Sequence, residues 1–432
     1  MQYQIPKGLF DILPYGFEKD WQQTLLWQTV EKVLIQIARD YGFQEVRTPM
    51  FEKTEVFVRG IGTETDIVSK EMYTFMDKGD RSMTLRPEGT ASVIRTFVEN
   101  NFASLGSTHK LYYIGPMFRY ERMQAGRYRQ FHQFGVELIG DISYENDVEV
   151  IDLQNELYNR LQLKNITLNI NSVGDSESRT IFKEKLMAYL KPHLMDLSQD
   201  SQERFHKNPL RILDSKDEKD QIILKSAPSI LECLSPAADH HFKKVCHLLS
   251  HLKIPYKIND RLVRGLDYYT NTVFEFVSTD LGAQNAIGGG GRYDSLVSSF
   301  GGNDLPGVGF ATGLERVIQT MLAQKISFAN FNFPFVYFAA LNDSVKDFVF
   351  EIATELRHQM IPVEMDIKTT KIQKALQKAD KLEAKYCAII GEDEWNKKVI
   401  QLKNLSTREQ MTIPFDSFIS EVKKLWQNYQ GK

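Results

Sequence analysis

The chain has 432 residues, 42% of them apolar and 25% charged, and its 53 Lys+Arg against 56 Asp+Glu leave a formal net charge of −3. Those proportions exclude a disordered or fibrous chain, and the length predicts two to four domains. The acidic balance also argues against a nucleic-acid partner, whose binding domains are usually basic.

The three cysteines, Cys233, Cys246 and Cys387, form no Cys-x-x-Cys pair. That sparse set predicts a reducing compartment and not a disulfide framework. The opening Met-Gln-Tyr-Gln-Ile-Pro lacks the basic-then-apolar pattern of a secretory signal. The longest apolar run, Phe331 to Leu341, contains Asn332 and Pro334 and is too short to span a bilayer. A cytoplasmic protein without a membrane segment is expected.

In chain order, residues 17–41 carry Trp21, Leu25, Val33, Leu34, Ile37 and Tyr41 at helical spacing, with Gly42 where a helix would stop. A short strand-like run, Phe43 to Thr48, leads to Pro49. Lys110 to Gly140 alternates, turns through a polar loop around Gly126 and alternates again, which predicts two antiparallel strands joined by a long loop. Residues 147–162 predict a helix and Ile166–Ile170 a strand. From 176 to 255 the pattern is helical, so this stretch reads as a module inserted into one domain that spans 1–325. Strand-like text returns at Val273–Val277. After about residue 330, strands (Val336–Ala340, Ile361–Met365, Ala388–Ile390, Val399–Leu402) alternate with helices (Ser344–Gln359, Thr370–Leu382, Phe415–Trp426), as in a small α/β domain running to 432.

Two glycine-rich runs, from Gly288 and from Gly307, invite a nucleotide reading. No apolar strand leads into Gly307-x-Gly-x-x-x-Gly, Pro306 interrupts the approach, and no Gly-Lys-Ser/Thr follows either run. A dinucleotide fingerprint or P-loop is therefore not expected, and close backbone packing explains the glycines equally well. Among His240, His241, Cys246, His247 and His251, the pair His247 and His251 would share a helix face that a zinc site can use, but no Cys-x-x-Cys or His-Glu-x-x-His accompanies it, and an ordinary helix is the preferred reading. The arginines say more. Arg119 ends a strand, Arg122, Arg127 and Arg129 sit in the loop after it, Arg264 lies in Val263-Arg-Gly-Leu-Asp-Tyr-Tyr269, and Arg316 follows Gly313-Leu-Glu. Singly, each is best read as a surface ion pair. Together, beside aromatics and glycines, they predict a nucleoside triphosphate held by side chains.

These residues carry a resemblance. Glu45-Val-Arg-Thr-Pro49 after its helix, Tyr113 to Glu121 with Phe131-His-Gln-Phe134, and Gly307 to Arg316 are similar, in that order, to the three signature motifs of class II aminoacyl-tRNA synthetases. Arg264-Gly-Leu-Asp-Tyr-Tyr269 and Gly289-Gly-Gly-Arg-Tyr293-Asp resemble strings particular to the histidyl-tRNA synthetase family, and Arg86-Pro-Glu-Gly-Thr90 fits the class. The resemblance covers nearly the whole chain. It implies an α/β multidomain protein: an α+β catalytic domain on an antiparallel sheet with a helical insertion, then a C-terminal α/β anticodon-binding domain, for which Lys374 to Leu382 is a further match.

The activity implied is ligation of L-histidine to its tRNA. Histidine and ATP would give histidyl-adenylate and pyrophosphate, and the histidyl group would pass to the 3′ end of the tRNA. A carboxylate attacking an anionic phosphate needs its charge screened. The resemblance assigns that work to Arg119, Arg264 and Arg316, and ATP binding to Glu121, Arg127, Phe131 and Arg316, with Mg²⁺ on the phosphates and no protein metal ligands identified. Histidine binding falls to Glu88, Thr90, Gln133, Glu137, Arg264, Tyr269 and Tyr293. Arg122 and Gln124 would meet the tRNA acceptor end, and Met123 stands where bacterial relatives commonly have proline, which bears on the stiffness of that loop. The family is homodimeric through motif 1 and binds neither DNA nor membranes. A regulatory paralogue that binds without aminoacylating would lack the anticodon domain and part of the catalytic set. A silent histidine- or tRNA-sensing module would have no need of Arg119, Arg264 and Arg316 together, and a prolyl or threonyl enzyme would not carry the Arg264-to-Tyr269 string.

Overall fold

The computed structural model of the protein describes residues 3–63, 65–121, 126–282, 285–326, 334–368 and 371–430. The chain divides into two compact units, residues 1–327 and 328–432.

In the first unit the strands in chain order are β1 (Gln44–Glu45), β2 (Phe51–Lys53), β3 (Thr74–Met76), β4 (Ser82–Leu85), β5 (His109–Phe118), β6 (Gln130–Ile139), β7 (Ile166–Ser172), β8 (Tyr256–Ile258), β9 (Thr270–Ser278), β10 (Ala286–Arg292) and β11 (Gly307–Gly313). The helices are α1 (Thr24–Asp40), α2 (Thr54–Ile61), α3 (Thr90–Glu99), α4 (Tyr144–Arg160), α5 (Ser176–Leu190), α6 (Gln199–Lys207), α7 (Glu218–Leu224), α8 (Pro236–His251), α9 (Leu296–Ser299) and α10 (Leu314–Ala323). Eight strands form one sheet in the order β1-β5-β6-β11-β10-β9-β7-β8, antiparallel except at its two ends, where β1 joins β5 and β8 joins β7 in parallel. A second, three-stranded sheet has the order β2-β4-β3.

Helix α1 buries Trp27, Val30, Leu34, Ile37 and Ala38, the stripe that a 3.6-residue period turns inward, and ends at Gly42 with φ +78°. The motif 2 hairpin is β5 and β6, paired from His109↔Ile139 to Phe118↔Gln130. Both glycine runs are strands. Gly307–Gly313 lies between β6 and β10 and leads straight into α10, so the run, which has no apolar strand before it in sequence, is itself an inner strand of the sheet. Val308, Phe310 and Thr312 alternate on one face of this strand and are buried, while the glycines between them leave the other face bare, so the glycines mask the alternation.

Residues 176–251 are helical throughout, as α5–α8 with short 3-10 turns between them. Their apolar faces join the sheet's own core: Phe182, Leu186, Leu190 and Ile212 pack in one cluster with Val93, Phe97, Val273 and Tyr293.

The second unit has β12 (Val336–Ala340), β13 (Val363–Asp366), β14 (Tyr386–Ile390), β15 (Val399–Asn404) and β16 (Gln410–Pro414), with α11 (Lys346–His358), α12 (Ile372–Lys381), α13 (Glu392–Lys397) and α14 (Phe415–Gln430). Its sheet order is β13-β12-β14-β15-β16, parallel through the first three strands and antiparallel beyond. Strand β12 is buried on both faces, Val336, Phe338 and Ala340 in one core and Tyr337 and Ala339 in the other, which is why it reads as a continuous apolar run.

Candidate active site

The site is built on the face of β5, β6, β9, β10 and β11, closed by the start of α3 and by the loop 259–269. Its base is a buried carboxylate. Glu137, on β6 and 1% exposed, accepts hydrogen bonds from the Thr90 hydroxyl (2.6 Å) and from the Tyr293 phenol. Burial pushes its pKa up to about 8, against the opposing pull of those two donors, and the nearby Glu88 raises it further. Glycine at 309 makes room for it, since a Cβ there would lie 2.1 Å from Glu137 Oε2. Tyr269 and Tyr293 flank Tyr268, at ring-centroid separations of 4.6 and 5.8 Å. A wall of phenols around one carboxylate offers donors and acceptors in fixed places without a net charge.

Glu88 is 3% exposed and accepts the backbone N–H groups of Thr90 (2.7 Å) and Ala91 (2.9 Å), so it caps α3 and lies at the positive end of that helix. Burial nevertheless raises its pKa, with those N–H groups and Arg119 pulling the other way. Gln133, on β6, holds its Oε1 buried and without a hydrogen-bond partner. A buried amide acceptor on the same strand as Glu137 is one that a donor such as an ammonium group would complete.

The cationic half lies on other elements. Arg119 follows β5, donates from Nε to the Pro87 carbonyl at 2.8 Å and sets its guanidinium 5.3 Å from the Phe131 ring centroid. Arg127 pairs with Glu121 at 2.9 Å. Arg316, in the first turn of α10, donates from Nη1 to the Ala286 carbonyl at 2.6 Å. Its pKa is lowered by burial and then by repulsion from Arg127, so two guanidinium groups are held close enough to oppose each other. An anion would relieve that repulsion. Arg264 pairs with Glu275 on β9; burial disfavours its charge, and Glu275 together with Tyr269 and Tyr268 outweighs this. A Cβ at position 289 would stand 3.0 Å from Arg264 Nη1, so the bare backbone of β10 is what admits the side chain.

The structure thus brings Glu88, Thr90, Glu137, Tyr269 and Tyr293 into one buried cluster. It pairs Arg119 with Phe131 and Arg127 with Glu121, and sets Arg264 against Glu275. Arg122 and Gln124, with Met123, lie outside the described residues. The histidines of α8 form no group that could hold a metal, and no such group of three His, Cys, Asp or Glu occurs among the described residues. His241 instead stands 3.2 Å from Asp147 Oδ2.

Several contributors were not singled out from the sequence. Glu275 is one, since a lone glutamate on a strand carries no signal of its own. Glu315 is another: its carboxylate accepts the His132 backbone N–H at 2.8 Å and meets His132 Nδ1 at 3.0 Å, tying α10 to β6. Arg292 and Asp147 are fully buried and joined by the Arg292 Nη2 to Asp147 Oδ2 bond at 2.7 Å. Arg292 also donates to Asp294 (3.1 Å) and to the Ser143 carbonyl (3.0 Å), which fixes the chain on either side of Tyr293. Its place beside Tyr293 in the Gly-rich string was the available clue.

Comparison with known proteins follows the same lines. A family model described as Histidyl-tRNA synthetase matches residues 18–317, and one described as Anticodon binding domain matches 336–425. The chain is 51% identical over 423 residues to a histidine–tRNA ligase of Protochlamydia amoebophila, covering 98% of this chain and all of that one. It is 46% identical over 418 residues to a histidine–tRNA ligase of Desulforamulus reducens, covering 97% and 98%. Among solved structures, the apo histidyl-tRNA synthetase of S. aureus superimposes with a TM-score of 0.82 at 35% identity, covering 98% of this chain and 100% of that one.

Proposed function

Since the chain belongs to the histidyl-tRNA synthetase family and performs the ATP-dependent ligation of histidine to tRNA, we propose how its residues divide that work. Glu137 and Tyr269 take the histidine imidazole, with Tyr293 closing the pocket by holding Glu137. Glu88, Thr90 and Gln133 receive the α-ammonium. The observation that carries this reading is Glu137: a fully buried carboxyl fixed from two sides, in a pocket of phenols, is suited to a ring that both donates and accepts. A substrate chosen through such bonds is separated from analogues lacking them without an editing step.

For activation, Arg119 and Arg264 screen the approach of the histidine carboxylate to the α-phosphate of ATP. The carboxylate oxygen forms the new P–O bond as the bond to the β-phosphate oxygen breaks, and pyrophosphate leaves with that electron pair. Arg127 and Arg316 hold the departing phosphates, which accounts for the mutual repulsion of these two cations in the free enzyme. Phe131 and Arg316 enclose the adenine, and Glu121 accepts its amino group. In the second step a hydroxyl of the terminal ribose of tRNA attacks the histidyl carbonyl and AMP leaves. Mg²⁺ accompanying the phosphates of ATP would add charge neutralisation beside Arg127 and Arg316.

In this reading residues 1–325 are the catalytic domain, 176–255 its helical insertion and 330–432 the anticodon-binding domain, with Arg122 and Gln124 toward the acceptor end of the tRNA. The protein acts in the cytoplasm as a homodimer through the motif 1 region. The exposed Met50, Phe51, Phe75 and Met76 on the small sheet beside motif 1 support that surface, being an apolar patch that water would disfavour. The test of the active-site assignment is Arg264→Ala. Histidine-dependent ATP–pyrophosphate exchange should fall by roughly a hundredfold or more in a folded protein, and near-normal exchange would refute it.

A further inference from the structure

The loop 259–269 carries Arg264 and Tyr269, yet it lies outside any helix or strand. A loop that must hold a guanidinium and a phenol within a few tenths of an ångström needs support from its neighbours. That support comes from the helical insertion, at three separate points. Before Arg264, Arg261 donates to the carbonyls of Ala227 (2.6 Å) and Pro228 (2.9 Å). Just after it, Arg211 donates from Nη2 to the Gly265 carbonyl (2.7 Å) and to Asp267 Oδ1 (3.1 Å), where Asn208 Nδ2 also donates at 3.3 Å. At the far end, Arg179 Nη1 reaches the Tyr269 carbonyl at 3.3 Å.

Arg211 is the central brace. Its side chain is only 15% exposed, in the 3-10 turn Pro209–Asp214, whose Ile212 and Leu213 are buried in the core shared with Leu262, Tyr268 and Tyr269. The carbonyl it holds belongs to the residue next to Arg264. From the other side, the Asp267 N–H donates to the Ile61 carbonyl at 3.1 Å, so the loop is clamped between the insertion and the end of α2. The Arg211–Asp267 contact is therefore neither an exposed surface pair nor a contact to substrate.

We propose that Arg211 is a positioning residue for histidine activation, and that the insertion holds the Arg264–Tyr269 loop in its working geometry before any tRNA is present. This rests on the assignment of Arg264 and Tyr269 to the active site. The consequence is that amino-acid activation, a reaction without tRNA, depends on residues of the insertion.

The test is histidine-dependent ATP–pyrophosphate exchange by the full-length enzyme without tRNA, for Arg211→Ala, Arg211→Lys and Asp267→Asn. Arg211→Ala should lower kcat/KM for histidine by roughly ten- to a hundredfold, the loss of a charged hydrogen-bonded contact. The KM for histidine should rise more than the KM for ATP, because Arg127 and Arg316 sit on elements Arg211 does not touch. Arg211→Lys keeps a donor for the Gly265 carbonyl and should recover part of the loss. The Arg211→Ala and Asp267→Asn effects should be less than additive. Wild-type exchange by Arg211→Ala, or a loss that only tracks a lowered melting temperature and is shared equally by both substrates, overturns the proposal. If Arg211→Ala does not fold, Arg211→Lys and Asp267→Asn carry the same comparison of the two KM values. Arg264→Ala separates the two readings: its retaining exchange refutes the site assignment, whereas an inactive Arg264→Ala beside a normal Arg211→Ala refutes only the brace.

Discussion

Replacing Glu137 with glutamine should strip the pH dependence from one buried group while removing the imidazole acceptor. Burial holds this carboxyl's pKa at about 8, against an ordinary value of 4.5. A carboxyl whose folded pKa is raised favours the folded state below the ordinary value, and that contribution is lost as pH rises through the folded pKa. Wild-type stability should therefore decline between about pH 4.5 and about pH 8 by an amount on the order of 5 kcal/mol from this group. The amide of Glu137→Gln carries one donor and one acceptor end, as the neutral acid does, and does not titrate. Its melting temperature should match wild type near pH 5 and exceed it above pH 8, by on the order of 5 °C. Glu88, also raised by burial, leaves a residual slope in both proteins, so the difference between the two curves is the quantity to read. Thermal unfolding of both proteins from pH 5 to 9, beside pyrophosphate exchange, makes the measurement. The variant should be more stable in base yet show a histidine KM raised roughly ten- to a hundredfold. Parallel melting curves would refute the buried-acid argument, and an unchanged KM for histidine would refute the role in recognition.

Two further outcomes follow from the packing. Asp147→Asn leaves Arg292 without its main counter-charge in a fully buried setting and also removes the charge facing His241, so urea unfolding of the catalytic unit should show a loss of roughly 3–5 kcal/mol. Gly309→Ala places a methyl group 2.1 Å from Glu137 Oε2 and 2.4 Å from the Val136 carbonyl, so it should lower the melting temperature and raise the KM for histidine more than the KM for ATP in the exchange assay.

The elements that were legible in sequence are those whose side chains report their own surroundings. Helix α1 shows its stripe, the β5–β6 hairpin its alternation, and β12 its unbroken apolar run. Neither Gly288–Gly291 nor Gly307–Gly313 reads as a strand, because their glycines leave one face bare for neighbouring backbone and the Glu137 and Arg264 side chains, and in β11 they interrupt the buried Val308, Phe310 and Thr312. Strand β16 and helix α13 were missed for a different reason. Only Ile413 of β16 is buried, and α13 buries nothing, so neither leaves a periodic trace. At the proposed site, glycine strings and arginines marked the segments that carry it, whereas Glu275, Glu315, Asp147 and Arg211 act through partners 11 to 183 positions away in sequence. Nothing local distinguishes them from surface charges.

The net charge of −3 looks unsuited to a protein whose substrates are a polyanion and a nucleic acid, and the site shows why the sum misleads. Its two halves are perturbed in opposite senses. Glu88 and Glu137 are carboxyls whose charge burial disfavours, so a bound ammonium and a ring N–H would stabilise their ionised forms. Arg316 is a cation destabilised by burial and by Arg127, so bound phosphate would stabilise its charge. Each half would gain from a substrate group of opposite charge, since Glu137 lies on β6 and Glu88 just before α3, whereas Arg127 lies in the motif 2 loop and Arg316 on α10. What points to the function is the placing of carboxyls and arginines in separate parts of one site, a property that a total over 432 residues averages away.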